Sequence, residues 1–358
     1  MKTLLRGRLS AAIAGLFPGY FALVMATGIV SISCHLMALP SIARALLAIN
    51  LAAYAALALL TLARAVLYPR RMLSDLADHA RGSGFFTMVA GTNVLGSQCL
   101  RVAGWRGIAE VLCGSGLVLW IVVMYAFFTA VIVRTKKPTL SEGINGAWLI
   151  ATVATQSVAI LGVALGTPFG WPPATVAFGA LVFFLVGCML YLAIITLIFY
   201  RLAFLELATA ELTPPYWINM GAVAITTLSG STLLLAAPRS PLLAELAPFL
   251  KGFTLFFWSA ASWWIPLLLL LGGWRHIWRR HPLTYDPQYW GMVFPLGMYS
   301  AATWRLAEAL PFPSLAAIAR AALIVALLAW FATALGLAGS GVRRSSLLPR
   351  KDRVEGRT

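Results

Sequence analysis

The sequence predicts an all-α membrane protein: ten transmembrane helices as five helical hairpins, with the odd-numbered helices forming an inner ring around a central pore. Three observations predict it. Of 358 residues, 61% are hydrophobic and 11% charged, whereas about a quarter of a soluble domain is charged. Ten apolar stretches reach the roughly 20 residues needed to cross the hydrocarbon layer. Polar small residues are confined to every second stretch.

In chain order the stretches cover 17–39, 43–67, 84–103, 107–133, 143–166, 173–200, 215–237, 246–272, 287–310 and 314–338. Backbone groups in lipid must be paired within the segment, which predicts helices. Strand-like alternation over short segments, the mark of a transmembrane β-barrel, is absent from the sequence. Little chain remains between spans. The expected organisation is a cytoplasmic N-terminal segment 1–16, a transmembrane domain 17–340 and a disordered basic tail 341–358. The basic segments 63–84 and 273–288 read as amphipathic stretches at the membrane surface.

Even-numbered spans are almost wholly Leu, Ala, Val, Ile and aromatic, as in LLAINLAAYAALALLTLA. Odd-numbered spans carry Thr, Ser, Asn, Gln and Gly, as in FFTMVAGTNVLGSQ. Odd spans begin near 17, 84, 143, 215 and 287, so the repeating unit is a two-helix hairpin. The polar residues fall at helical spacing. Span one offers Thr27, Gly28 and Ser31. Span three offers Thr87, Gly91 and Gln98, and span five Thr152 and Gln156. Span seven offers Thr227 and Gly230, and span nine Phe294 and Gly297. For one helix such a stripe also fits ordinary close packing. Recurrence on all five odd spans points to a lined pathway.

Twenty of the 27 Lys and Arg residues lie at one set of span ends, including Arg64, Arg70, Arg71, Arg134, Arg275 and the tail. The positive-inside rule places those ends, and both termini, in the cytoplasm, which an even number of spans requires. The formal net charge of +16 thus follows membrane topology and does not point to nucleic acid. Cys34, Cys99, Cys113 and Cys188 show no metal-type spacing, so neither metal nor cofactor is expected.

No odd span carries Asp, Glu or Lys near its middle, where one charge costs roughly 2.5–3.5 kcal/mol and usually marks a proton relay. Neither HExxH nor GxSxG occurs, so no catalytic residues are expected; a membrane-embedded enzyme is the remote alternative. The expected partners are a small anion and the lipid bilayer. Pro295 lacks an N–H, so span nine is expected to kink or break there and turn free amides toward an anion. Gly28, Gly91 and Gly230 would loosen spans one, three and seven. The hydroxyls of Thr27, Thr92, Thr152 and Thr227 would add donors. Phe294 beside the kink reads as a hydrophobic gate.

FPGYFALVMATGI (17–29), FFTMVAGTNVLG (85–96) and YWGMVFPLG (289–297) resemble the tellurite-resistance/dicarboxylate transporter family. That family includes bacterial tellurite-resistance permeases, malate permeases, sulfite exporters and plant slow anion channels. The resemblance covers all ten spans. It implies a ten-helix bundle of five hairpins, a homotrimer, and a pore-blocking phenylalanine on the ninth helix at the position of Phe294. It implies a C4-dicarboxylate such as malate as substrate, with inorganic anions or sulfite and tellurite efflux as the alternative. A bacterial inner-membrane location follows. One departure is Ala26, where malate-permease-like members tend to read MGTG.

Overall fold

Lipid cannot hydrogen-bond a backbone, so long apolar stretches become helices. The computed structural model describes Gly7 and residues 10–346. Among these residues there are ten long helices and no strand. They are α1 (Ala22–Leu36), α2 (Pro40–Leu67), α3 (Phe86–Ala103), α4 (Arg106–Val133), α5 (Ile150–Leu165), α6 (Pro173–Phe204), α7 (Ile218–Ala236), α8 (Ala247–Gly273), α9 (Trp290–Ala309) and α10 (Ser314–Ser346). Pro40, Pro173 and Pro241 sit at the first helical position, where a missing N–H costs nothing.

The helices differ in what surrounds them. Buried residues make up 72–89% of the apolar windows of α1, α5 and α7, but 17–39% of those of α2, α4, α6, α8 and α10. By length and apolarity, eight of the ten qualify as membrane-crossing; α3 and α9 fall short because they are less apolar. Both are nonetheless mostly buried, α3 with Thr92, Asn93 and Gln98 inside and α9 with Ser300 and Thr303 inside. Their neighbours are other helices, so they need no greasy surface. A helix facing lipid has no such freedom, which explains the Ile and Val on the exposed face of α4 and the Leu and Phe on those of α6 and α8.

Each helix of the odd set packs on two others of that set. α1 packs on α3, α3 on α5, α5 on α7, α7 on α9, and α9 on α1. Each also packs on the even helix that follows it: α1 on α2, α3 on α4, α5 on α6, α7 on α8 and α9 on α10.

A second repeat is written at the start of each odd helix. Short 3₁₀ turns at Pro18–Phe21, Gly82–Phe85, Gly146–Leu149, Pro214–Trp217 and Pro287–Tyr289 run straight into α1, α3, α5, α7 and α9. The five turns also contact one another in sequence, the last touching the first. The five N-termini therefore share one end of the molecule. Backbones approach closely there. A Cβ on Gly146 would lie 2.3 Å from the Pro215 carbonyl oxygen, and one on Gly84 3.0 Å from the Gly19 nitrogen. Asn145 and Asp286 fix the third and fifth turns by accepting backbone N–H bonds from Ala147 and Gln288 at 2.9 and 2.7 Å.

Loops at this end are tied by charge. The Asp75 carboxylate accepts from buried Arg64 at 2.6 Å and from Arg81 at 3.0 Å, joining the end of α2 to the turn before α3. Arg201 reaches Glu211 at 3.2 Å below α6. The segment 63–84, expected to lie along a membrane surface, is thus partly internal: α2 continues through Leu67, and Pro69–Leu76 forms a short helix held by this clasp. In 273–288 a π-helical turn at Trp274–Trp278 leaves Ile277 and Trp278 exposed. α10 runs to Ser346, so residues 341–346 of the expected tail are helical. Residues 347–358, the rest of that tail, lie outside the described residues, as do 1–6, 8 and 9 of the N-terminal segment.

The packing of α7 on α8 gives a direct test. A Cβ at Gly230 would stand 2.0 Å from the Thr254 hydroxyl oxygen. Gly230→Ala is expected to destabilise the protein by about 1–3 kcal/mol. Pairing it with Thr254→Ala removes that oxygen and should recover part of the loss. Thermal unfolding in detergent of the two single variants and the double variant measures both effects.

Candidate functional site

Many of the polar residues of the odd helices are engaged with other helices. Trp330 of α10 donates its indole N–H to the Thr27 hydroxyl of α1 at 3.0 Å. Tyr54 of α2 pairs with Thr92 of α3 at 3.0 Å, and Trp120 of α4 donates to Thr155 of α5 at 2.9 Å. Tyr191 of α6 reaches the Asn219 carbonyl of α7 at 3.5 Å, and Trp258 of α8 donates to Thr303 of α9 at 3.0 Å. In all five cases an aromatic residue of an even helix bonds to the next odd helix, with α10 closing onto α1. Thr92 and Thr155 give their own protons to the Met88 and Ala151 carbonyls one turn back, which leaves the hydroxyl oxygen to accept.

A complementary set works within hairpins. Ser31 donates to the Ala43 carbonyl at 2.7 Å, the Gln156 amide to the Phe184 carbonyl at 3.0 Å, and Ser300 to the Ala319 carbonyl at 2.9 Å. Asn50 of α2 donates to the Gln98 side chain of α3 at 2.7 Å. Thr227 bonds to the Val223 carbonyl of its own helix at 2.9 Å, and Thr152 is buried with its hydroxyl unpartnered.

The glycines expected to loosen helices let helices approach instead. α1, α3 and α7 run unbroken through Gly28, Gly91 and Gly230. A Cβ on Gly28 would meet Val94 at 2.6 Å and Asn50 at 3.0 Å; one on Gly91 would rest 3.5 Å from Phe21 and Val24. Gly297 faces Val30 and Ile29 of α1 at 2.9 and 3.0 Å, and Ser33 of α1 donates to its carbonyl at 3.1 Å. α9 likewise continues through Pro295. The expected half-helix start at mid-membrane is replaced by one missing N–H, which leaves the Gly291 carbonyl without its helical donor. Gly221 of α7 makes room for the ring: a Cβ there would lie 2.7 Å from Pro295 Cγ.

Two cavities lie among the odd helices, each lined by residues from all five of them or their 3₁₀ turns. The first is at the end where the turns meet, with a volume of about 80 Å³. Gly19, Ala22 and Met25, Gly84 and Thr87, Ala147 and Ile150, Pro215 and Ile218, and Gly291 and Phe294 line it. The second lies toward the opposite ends of the same helices, with a volume of about 30 Å³. Its walls include Ile29 and Ile32, Val94 and Arg101, Ile160, Ile225 and Leu228, and Met298 and Arg305. Phe294 has no exposed surface. It borders the first cavity, and Met298, one helical turn further along α9, borders the second.

Of the residues picked out by sequence, Phe294 and Thr87 line a cavity, and Thr87 donates to the Pro18 and Gly84 carbonyls at 3.1 and 2.7 Å. Thr27, Ser31, Thr92, Gln98, Thr152, Gln156, Thr227 and Gly297 line neither. The lining missed by sequence includes the polar Asn93, Ser97 and Ser157 in the second cavity. The rest is largely apolar: Ala22, Met25, Ile29, Ile32 and Leu36 make one continuous stripe along α1 at spacings of three and four. That stripe was visible in the sequence, but apolar residues on a membrane helix read as lipid-facing. Arg305 falls on the same helical stripe of span nine as Phe294 and Gly297, whereas Arg101 reads in the sequence only as a span-end charge.

Long helices with an apolar perimeter, and cavities among the least apolar helices, define a multi-pass integral membrane protein. The chain belongs to the SLAC1 family of voltage-dependent anion channels, whose pattern matches residues 16–338. An uncharacterized membrane protein of Mycobacterium tuberculosis is 38% identical over 144 residues, 40% of this chain and 73% of the relative. Two uncharacterized transporters of Methanocaldococcus jannaschii are each 24% identical, one over 310 residues (80% of this chain and 82% of the relative) and the other over 308.

These placements separate residues that bind helices together from residues that line the cavities. Thr27→Val leaves the Trp330 indole N–H without its acceptor and is expected to cost ~1 kcal/mol of stability, the scale of interhelical hydrogen bonds in membranes. Ion flux per folded molecule should stay unchanged. Thermal unfolding and liposome flux assays on one preparation read the two effects separately.

Proposed function

We propose that this protein is a passive pathway for small anions, with α1, α3, α5, α7 and α9 as the inner ring of five hairpins and Phe294 as the gate. The observation that carries this reading is the position of Phe294: fully buried, against a cavity to which all five repeats contribute, with a second such cavity beyond Met298. Membership of an anion-channel family supports the solute class. A lumen walled by Ile, Val, Met and Phe binds ions weakly and blocks them by dewetting, and moving one ring aside rehydrates it. The absence of carboxylates among the residues lining either cavity favours anions over cations.

The basic span ends, including the Arg64–Asp75–Arg81 clasp and Arg275, lie on the side of the 3₁₀ turns, which we assign to the cytoplasm along with both termini. The host membrane is the bacterial inner membrane, and by family resemblance the protein forms a homotrimer with one pathway per subunit. The narrow lumen and its single pair of arginines favour compact inorganic anions ahead of malate and other C4-dicarboxylates.

Replacing Phe294 by Ala should raise anion conductance in planar bilayers about tenfold or more, tenfold corresponding to ~1.4 kcal/mol of barrier. Unchanged conductance would remove Phe294 from the role of gate, and a cation-selective current would remove the anion reading. Flux of chloride, nitrate, sulfite, succinate and malate through the same variant in liposomes ranks the substrates, and malate leading that series would reverse the order given above.

A further inference from the structure

Arg101 is a charged side chain with no ion pair among the described residues, its nearest carboxylate influence being Glu308, which is bonded to Arg305. It stands in the last turn of α3 and lines the cavity beyond Met298. Among the described residues it forms no ion pair, and none of its N–H groups reaches a protein acceptor. The α3 C-terminus is closed by backbone alone: Gly104, in the left-handed region at φ 70°, and Trp105 both donate to the Cys99 carbonyl. Arg101 is therefore not needed as a cap. Arg305 of α9 lines the same cavity, but its charge is matched by Glu308 one turn on, and Glu308 also accepts from Trp304 at 2.8 Å. Its Nε is buried without a partner. The remaining walls are mostly Ile, Leu, Val and Met. A cation held against such walls is costly unless an anion joins it.

We propose that Arg101 and the free Nε of Arg305 form an anion-binding site for one monovalent anion, at the cavity on the far side of the gate from the 3₁₀ turns. Two guanidinium groups and one carboxylate leave a net charge of plus one, which matches a halide, nitrate or bisulfite and leaves a divalent anion half-compensated. Along α9 the site is about 16 Å from Phe294, eleven residues at 1.5 Å each. It would thus load the ion before the constriction and set selectivity there. This rests on the anion-pathway reading for its role in transport, but not for the binding itself.

Nitrate binding to the purified full-length protein in detergent tests the site directly, by isothermal titration. Arg101→Gln should weaken nitrate about tenfold or more, the scale expected for losing one charge-assisted contact of roughly 1.5–3 kcal/mol. Arg101→Lys keeps the charge and should retain binding within a few-fold, as a control for folding. Glu308→Gln raises the net charge to plus two and should shift preference toward sulfate over nitrate. Wild-type nitrate affinity in Arg101→Gln, or a Glu308→Gln variant with unaltered sulfate preference, would overturn the proposal. Repeating Arg101→Gln in the Phe294→Ala background separates the two ideas. Conductance through Phe294→Ala that does not change when Arg101 is removed rejects the site and keeps the pathway. Nitrate binding that depends on Arg101, with no conductance through Phe294→Ala, keeps the site and rejects the gate.

Discussion

The structure depends on one constraint: a polar side chain placed among membrane helices has no water to turn to, so another helix must answer it. Aromatic residues of α2, α4, α8 and α10 answer hydroxyls of α3, α5, α9 and α1, and Tyr191 of α6 completes a closed series by bonding the Asn219 backbone carbonyl of α7. Each bond ties an even helix to an odd helix outside its own hairpin. Ser31, Gln156 and Ser300 supply the bonds inside hairpins. Individually such bonds are worth on the order of 0.6 kcal/mol. Their value lies in direction, because apolar packing alone would let hairpins rotate or exchange neighbours.

With Thr27, Ser31, Thr92 and Gln156 bonded to even helices, most of the residues facing the cavities are apolar, with Thr87, Asn93, Ser97 and Ser157 among the exceptions. Under the proposed anion pathway, mostly apolar walls, charged groups near one end and a phenylalanine beside a tight ring of turns suit an ion that crosses quickly or not at all. Glycine serves the same economy. At Gly146 and Gly230 the neighbouring backbone or hydroxyl occupies the space that a Cβ would need, so the helices close up without any break in the helical ladder.

Much of this was legible in the sequence. The span count, the hairpin repeat and the difference between odd and even helices are statements about composition, and composition reports what surrounds a helix. Phe294 could be picked out because an aromatic beside a proline is unusual in the middle of a polar span. The role of Thr27, Ser31 or Gln98 could not be read in the same way. A hydroxyl at helical spacing looks the same whether it faces a cavity or a neighbouring tryptophan, and the indole of Trp330 that answers Thr27 is 303 residues away. Pro295 misled for a related reason. Proline removes one hydrogen bond, but whether a helix then breaks depends on what holds its two halves, and here Gly221 lets α7 pack directly against the ring.

The sequence by itself therefore determined that this is a multi-pass helical membrane protein built from a repeated hairpin, and which helices are shielded from lipid, because hydrophobicity and charge are local properties of each segment. Only the tertiary structure decided which face of each shielded helix meets a cavity. That choice is made by long-range partners: aromatic donors on even helices draw the hydroxyls outward, glycine contacts set the spacing, and the stripe from Ala22 to Leu36 is what remains to face the cavities. It also separated two arginines alike in sequence, since Arg305 forms an ion pair with Glu308 and Arg101 forms none among the described residues.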